Sequence, residues 1–148
     1  MGTEKMVGVV VVTHGEHGTD ILRSATALVG PIASTVAISI PTSEGREQVD
    51  RRIDEAAREV DHGAGVLFLV DLHGSTPANV CIGKMTQGHN VEVLGGVNLA
   101  MLLKLATGDR GHGAVALADL LKQTALRSIR LGSETTGVFP VFKKAEPK

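Results

Sequence analysis

The sequence has no tryptophan and no tyrosine, and its only aromatic side chains are Phe68, Phe139 and Phe142. Without aromatics to stack on bases, a platform for single-stranded nucleic acid is excluded, and any core must be aliphatic. Cys81 is the single cysteine, so no intrachain disulfide can form, and a reducing cytoplasm is the expected setting. The longest apolar runs, 7–12 and 65–70, are far too short to span a bilayer, and residues 1–6 carry no leader-like apolar region. Basic residues do not cluster before Lys143-Lys144, and the formal net charge is −1, so no nucleic-acid footprint is present. Neither a G-x-G-x-x-G nor a Walker pattern occurs, which leaves nucleotide binding without support.

What remains is an ordinary soluble composition, 43% hydrophobic and 21% charged over 148 residues, sized for one domain with one real core. Val7 to Val12 is a continuous β-branched run, the pattern of a strand buried on both faces in a parallel sheet. A glycine-rich turn follows, then a helix with Thr19 as its expected N-cap, stopped by Gly30-Pro31. Thr35 to Ile40 reads as the second strand. Pro41-Thr42-Ser43 breaks it and starts a helix with Val49, Ile53 and Val60 on one face and a charged, solvated opposite face. Residues 65–70 and 91–94 read as the third and fourth strands. Between them lies a helix expected to have Thr76 at its N-cap and Pro77 at its first position. Helices over 99–106 and 114–130 complete the alternation. Residues 133–137 read as a polar linker, and 138–142 as a fifth strand that Pro140 confines to an edge or to a partner chain. The expected fold is therefore α/β. It is an open parallel sheet of four strands, order 2-1-3-4, with helices on both faces.

In such sheets, sites lie beyond the C-terminal ends of the strands where the strand order reverses. With order 2-1-3-4, the loops leaving strands 1 and 3 meet there. The first carries Thr13-His14-Gly15-Glu16-His17-Gly18 and the second Asp71-Leu72-His73-Gly74-Ser75-Thr76. A neutral His14 could attack a phosphoryl group with one ring nitrogen. Asp71 would then accept the N–H of the other and stabilise the developing positive charge. Glycine backbone such as Gly15, the hydroxyls of Thr13, Ser75 and Thr76, and two helix N-termini are candidates to hold phosphate oxygens. Zinc on His14, His17 and His73 is the rival reading, but no cysteine supports it and His14-x-x-His17 is not on a helix, so no metal and no cofactor are expected. His62, His89 and His112 lie beside Gly or Asn in loops and read as surface residues.

Four segments share an order and spacing with one family: V-V-V-V-T-H-G at 9–15, G-V-L-F-L-V-D at 65–71, H-G-S-T-P-A-N at 73–79 and G-G-V-N-L-A-M-L at 95–102. Over residues 6 to about 130 the chain resembles the IIA domain of the mannose-type sugar phosphotransferase system. The resemblance implies a phosphorylated histidine at His14, a histidine-orienting aspartate at Asp71 and a site hydroxyl at Thr76. It also implies phosphate received from the small carrier HPr and passed to a IIB domain, an indirect link to membrane permease subunits, and a homodimer that exchanges an edge strand, for which 138–142 is the candidate. Two departures stand out. His73 occupies a position that is usually aromatic or apolar, making it a candidate modulator of the site, and Ala100 replaces a proline. A regulatory module read through its phosphorylation state, or the phosphocarrier of a dihydroxyacetone kinase, are the alternative roles.

Overall fold

A computed structural model describes residues 5–88 and 90–136. The expected fifth strand at 138–142, its exchange in a dimer, and His89 lie outside those residues.

Four strands form one parallel sheet, β1 (Gly8–His14), β2 (Thr35–Ile40), β3 (Val66–Val70) and β4 (Val91–Gly95), in the order β2-β1-β3-β4. Because side chains alternate across a strand, the β-branched run of β1 serves two cores. Val9 and Val11 join Leu67 and Leu69 against α1 (His17–Val29), α4 (Leu99–Leu105) and α5 (Ala114–Ser128). Val10 and Val12 join Phe68 and Val70 against α2 (Arg46–Val60) and α3 (Thr76–Thr86). Val9 to Val12 and Leu67, Leu69 and Val70 are wholly shielded from solvent, as the central strands of a two-faced sheet must be. Gly8 is required by a close approach: a Cβ there would lie 2.3 Å from the carbonyl oxygen of Val60 at the end of α2. Cys81 is buried in the second core, and burial pushes its thiol up to about 12, which removes it from nucleophilic chemistry at neutral pH.

Element boundaries differ from expectation where side chains compete for the same backbone. The helix α1 starts at His17 rather than after Thr19, because the Thr13 hydroxyl at the end of β1 takes the Gly18 N–H at 2.6 Å. Thr19 instead pairs its hydroxyl with Ser39. The helix α2 starts at Arg46 with Gly45 as N-cap, several residues past Pro41-Thr42-Ser43. For α3 the N-cap is Ser75, whose Oγ accepts from the Ala78 N–H, so Thr76 is already helical. The expected polar linker begins with a short helix, α6 (Gly132–Thr136).

One stabilising device has no sequence signature. Arg110, in the loop between α4 and α5, is 7% exposed, and burial lowers its pKa from the usual guanidinium value. Among the described residues no carboxylate is bonded to it. It donates to three backbone carbonyls instead: Val7 at 2.6 and 3.1 Å, Ala33 at 2.7 Å and Ser34 at 3.1 Å. These oxygens belong to the chain entering β1 and β2, so one planar fork ties the α4–α5 loop to the sheet's N-terminal edge. Arg110→Met should cost about 2–4 kcal/mol by urea denaturation, and Arg110→Lys should recover little of it, because an ammonium cannot reach all three carbonyls. A loss below about 0.5 kcal/mol for Arg110→Met would show that the tie is dispensable.

Candidate functional site

The site is built by the register of the two central strands. Val12 of β1 lies opposite Val70 of β3, so the residues that leave the sheet next, Thr13-His14 and Asp71, emerge side by side. The Asp71 carboxylate accepts the His14 backbone N–H through Oδ2 at 2.9 Å and approaches the ring Nδ1 at 3.0 Å (Oδ2) and 3.3 Å (Oδ1). It also takes the Leu72 N–H on Oδ1 at 2.8 Å. One carboxylate thus fixes the backbone and the ring of the same histidine.

Partial burial pushes the Asp71 carboxyl upward in pKa. The His14 backbone N–H, the His14 ring through hydrogen bond and charge, and the Leu72 N–H together outweigh it, and the net shift is downward. Asp71 is consequently a carboxylate at neutral pH, able only to accept. Nδ1 must then carry the proton, and the free lone pair of a neutral ring is on Nε2. The His14 side chain is 38% exposed and that of Asp71 17%, so the ring is reachable while its partner is sheltered.

His14 projects to the α2/α3 side of the sheet and borders a cavity of about 150 Å³. Thr42, Glu44 and Thr76 supply its polar wall; Ile40, Pro41, Val49 and Pro77 supply the apolar one. The first turn of α3 faces this space, which sets the positive end of an eleven-residue helix beside the histidine. The Thr76 hydroxyl lies on the exposed rim.

The other candidates fall differently. Thr13 is fully buried, and its hydroxyl is held by Gly18 on the α1 side of the sheet, so it does not face His14's cavity; strand alternation dictates this. A Cβ on Gly18 would stand 2.7 Å from that hydroxyl oxygen, which accounts for glycine there. The Gly15 N–H is spent on the carbonyl of Ile40 at 3.3 Å. Ser75 donates its hydroxyl to Leu72 O at 2.8 Å and caps α3. Of the hydroxyls considered, Thr76 is therefore the one left to a ligand. His73 is exposed and packs its Cβ close to Gly95 on the β4 side. His17 is exposed at the start of α1. Among the described residues no three His, Cys, Asp or Glu side chains converge on a point that could hold a metal, so His14, His17 and His73 do not form the cluster of the rival reading. His62 lies exposed in the loop after α2, and His112 pairs with Asp109 on the surface. Glu44 borders the site, paired with Arg52 of α2 at 2.5 Å, and neither was legible in the sequence because neither lies in a recognisable motif. Among the described residues no helix is long and apolar enough to cross a membrane.

Comparison with known proteins points one way. The model of the fructose IIA component family of the phosphotransferase system matches residues 8–122. The fructose-specific EIIA component of Bacillus subtilis (strain 168) is 28% identical over 132 residues, 87% of this chain and 88% of that protein. The mannose-specific EIIAB component of Escherichia coli (strain K12) is 30% identical over 98 residues, which span 66% of this chain but 30% of its relative. In a crystal structure, the phosphotransferase system component EIIA of Streptococcus agalactiae superposes with a TM-score of 0.77 at 26% identity, over 87% of this chain and 99% of that one.

The depressed Asp71 pKa has a consequence for stability. A carboxyl whose pKa is lowered on folding stabilises the fold above its unfolded value, near 3.9, and loses that contribution as pH falls through the lower folded value. Wild type should therefore exceed Asp71→Asn by about 1–2 kcal/mol at pH 5, and the gap should close as pH falls below the unfolded carboxyl value. Urea melts across that range check it; a pH-independent gap would mean that the carboxylate's charge contributes nothing.

Proposed function

The chain belongs to the mannose/fructose-type IIA family of the sugar phosphotransferase system, and from that membership we propose that His14 is its phosphoryl acceptor, charged by phospho-HPr and discharged to a IIB domain. The observation that carries this reading is the Asp71 carboxylate on Nδ1. It leaves Nε2 as the nucleophile. The Nε2 lone pair attacks phosphorus in line as the N–P bond to the HPr histidine breaks. Positive charge grows on the His14 ring, and the adjacent carboxylate stabilises it without taking the proton. The Thr76 hydroxyl would bond an equatorial oxygen, and the positive end of the α3 dipole would favour the group's charge. Transfer to IIB is the same step in reverse with a different acceptor. Pairing of two chains through residues 138–142, and an indirect link through IIB to membrane permease subunits, are part of the same proposal. So is a single carrier domain over residues 1–148, working in the cytoplasm.

Incubation with phosphoenolpyruvate, enzyme I and HPr should add one acid-labile phosphoryl group, mapped to His14 by peptide mass. His14→Gln should abolish it. Asp71→Asn keeps size and a hydrogen-bond acceptor but loses the charge, so transfer should slow by about 10²- to 10³-fold, equivalent to about 3–4 kcal/mol, in rapid-quench measurements. A label on His17 or His73, or near-normal transfer by Asp71→Asn, would overturn the assigned roles. A chain charged on His14 that passes nothing to any IIB domain would fit the regulatory reading instead.

A further inference from the structure

The cavity beside His14 has an electrostatic feature that the phosphoryl-carrier reading does not use. Glu44 reaches its wall from the loop between β2 and α2, with its side chain 12% exposed. Oε1 is bonded to Arg52 Nη1 at 2.5 Å. Oε2 is shut away from solvent and has no hydrogen-bond donor; it is the only such buried side-chain atom among the described residues. A desolvated carboxylate oxygen without a donor costs folding energy, and its field is screened less than that of a carboxylate in bulk water. The loop holds it in place: the Glu44 N–H is bonded to Pro41 O, and α2 anchors Arg52 from below.

We propose that Glu44 raises the phosphoryl-transfer potential of His14, with Arg52 as the counter-charge that limits the effect. The inference rests on His14 being the phosphoryl acceptor. Since Asp71 holds Nδ1, a group added at Nε2 lies on the far side of the ring, at the mouth of the cavity that Glu44 shares. The phosphoryl group brings negative charge towards the Glu44 carboxylate in the wall of the same cavity. Asp71 acts differently, because it lies on the Nδ1 side of the ring, bonded to that nitrogen and to two backbone N–H groups. The α3 N-terminus and Thr76 attract the phosphoryl group while Glu44 repels it. The phosphohistidine is thereby kept easy to discharge, as a carrier in the middle of a relay needs. The exchange is balanced throughout: one N–P bond forms at His14 as one breaks on the donor histidine, with no other reactant.

The test is the equilibrium constant for phosphoryl exchange with HPr, read by intact mass in mixtures of known composition. Glu44→Gln removes the negative charge while keeping an oxygen for Arg52, and should shift the equilibrium towards phosphorylated protein by about 3- to 10-fold. Arg52→Gln leaves Glu44 uncompensated and should shift it the other way, by about 2- to 5-fold. Arg52→Lys should stay near wild type, as should Glu47→Gln on the exposed face of α2. A purely structural ion pair predicts a different pattern, because both neutral variants remove the charge pairing and would move the equilibrium in the same direction. Shifts of equal sign, or none in variants that melt as wild type does, overturn the inference. Failure of wild type itself to accept phosphate on His14 overturns the carrier reading, a separate outcome visible in the same experiment.

Discussion

The structure depends on one pairing, the parallel register of β1 and β3. Two buried, apolar strands lock Val12 opposite Val70, and from that point the chain has no freedom to separate His14 from Asp71. A slip of one residue would turn every valine of β1 to the wrong core, so the penalty for misplacing the site is the penalty for unfolding the sheet. The apolar core thereby does the positioning that a polar network would do less reliably. What the loops add is local: the carboxylate closes on both the backbone and the ring of His14, and the α3 N-terminus is brought to the same edge.

Around that pair the charges are set against one another. Asp71 fixes which nitrogen is free. The first turn of α3 and Thr76 border the space beyond Nε2, and in the proposed scheme they favour an anion there while Glu44 disfavours it. In the proposed carrier role, a group accepted from one protein and surrendered to another would be served by such opposition, whereas a site with only attractive terms would hold it too tightly. The exposed Leu72, in the loop that follows Asp71, adds an apolar side chain to the same edge.

Much of this was legible in the sequence because the strands announce themselves. Continuous Val and Leu runs can only be central strands of a two-faced sheet, and once their order is 2-1-3-4 the His14–Asp71 encounter follows from topology. Side-chain direction at the strand end was harder to read. Thr13 is one residue from His14, so alternation sends it to the opposite face, where it caps α1 rather than meeting a phosphate. Serine and threonine in sequence, as at 75–76, cannot declare which one caps the helix, because either hydroxyl can take the same N–H. Arg110 and the Glu44–Arg52 pair stayed hidden for a different reason. Each acts on partners brought near by the fold, backbone carbonyls in one case and a cavity wall in the other, and no local pattern encodes either.

The most direct measurement is the position of phosphorus on the His14 ring. Nitrogen–phosphorus couplings in the NMR spectrum of the phosphorylated, isotopically labelled protein distinguish the two ring nitrogens. The account predicts phosphate on Nε2, with Nδ1 still protonated and bonded to Asp71. Phosphate on Nδ1 would contradict it, because that nitrogen could be reached only if the ring left the carboxylate on which the whole arrangement depends.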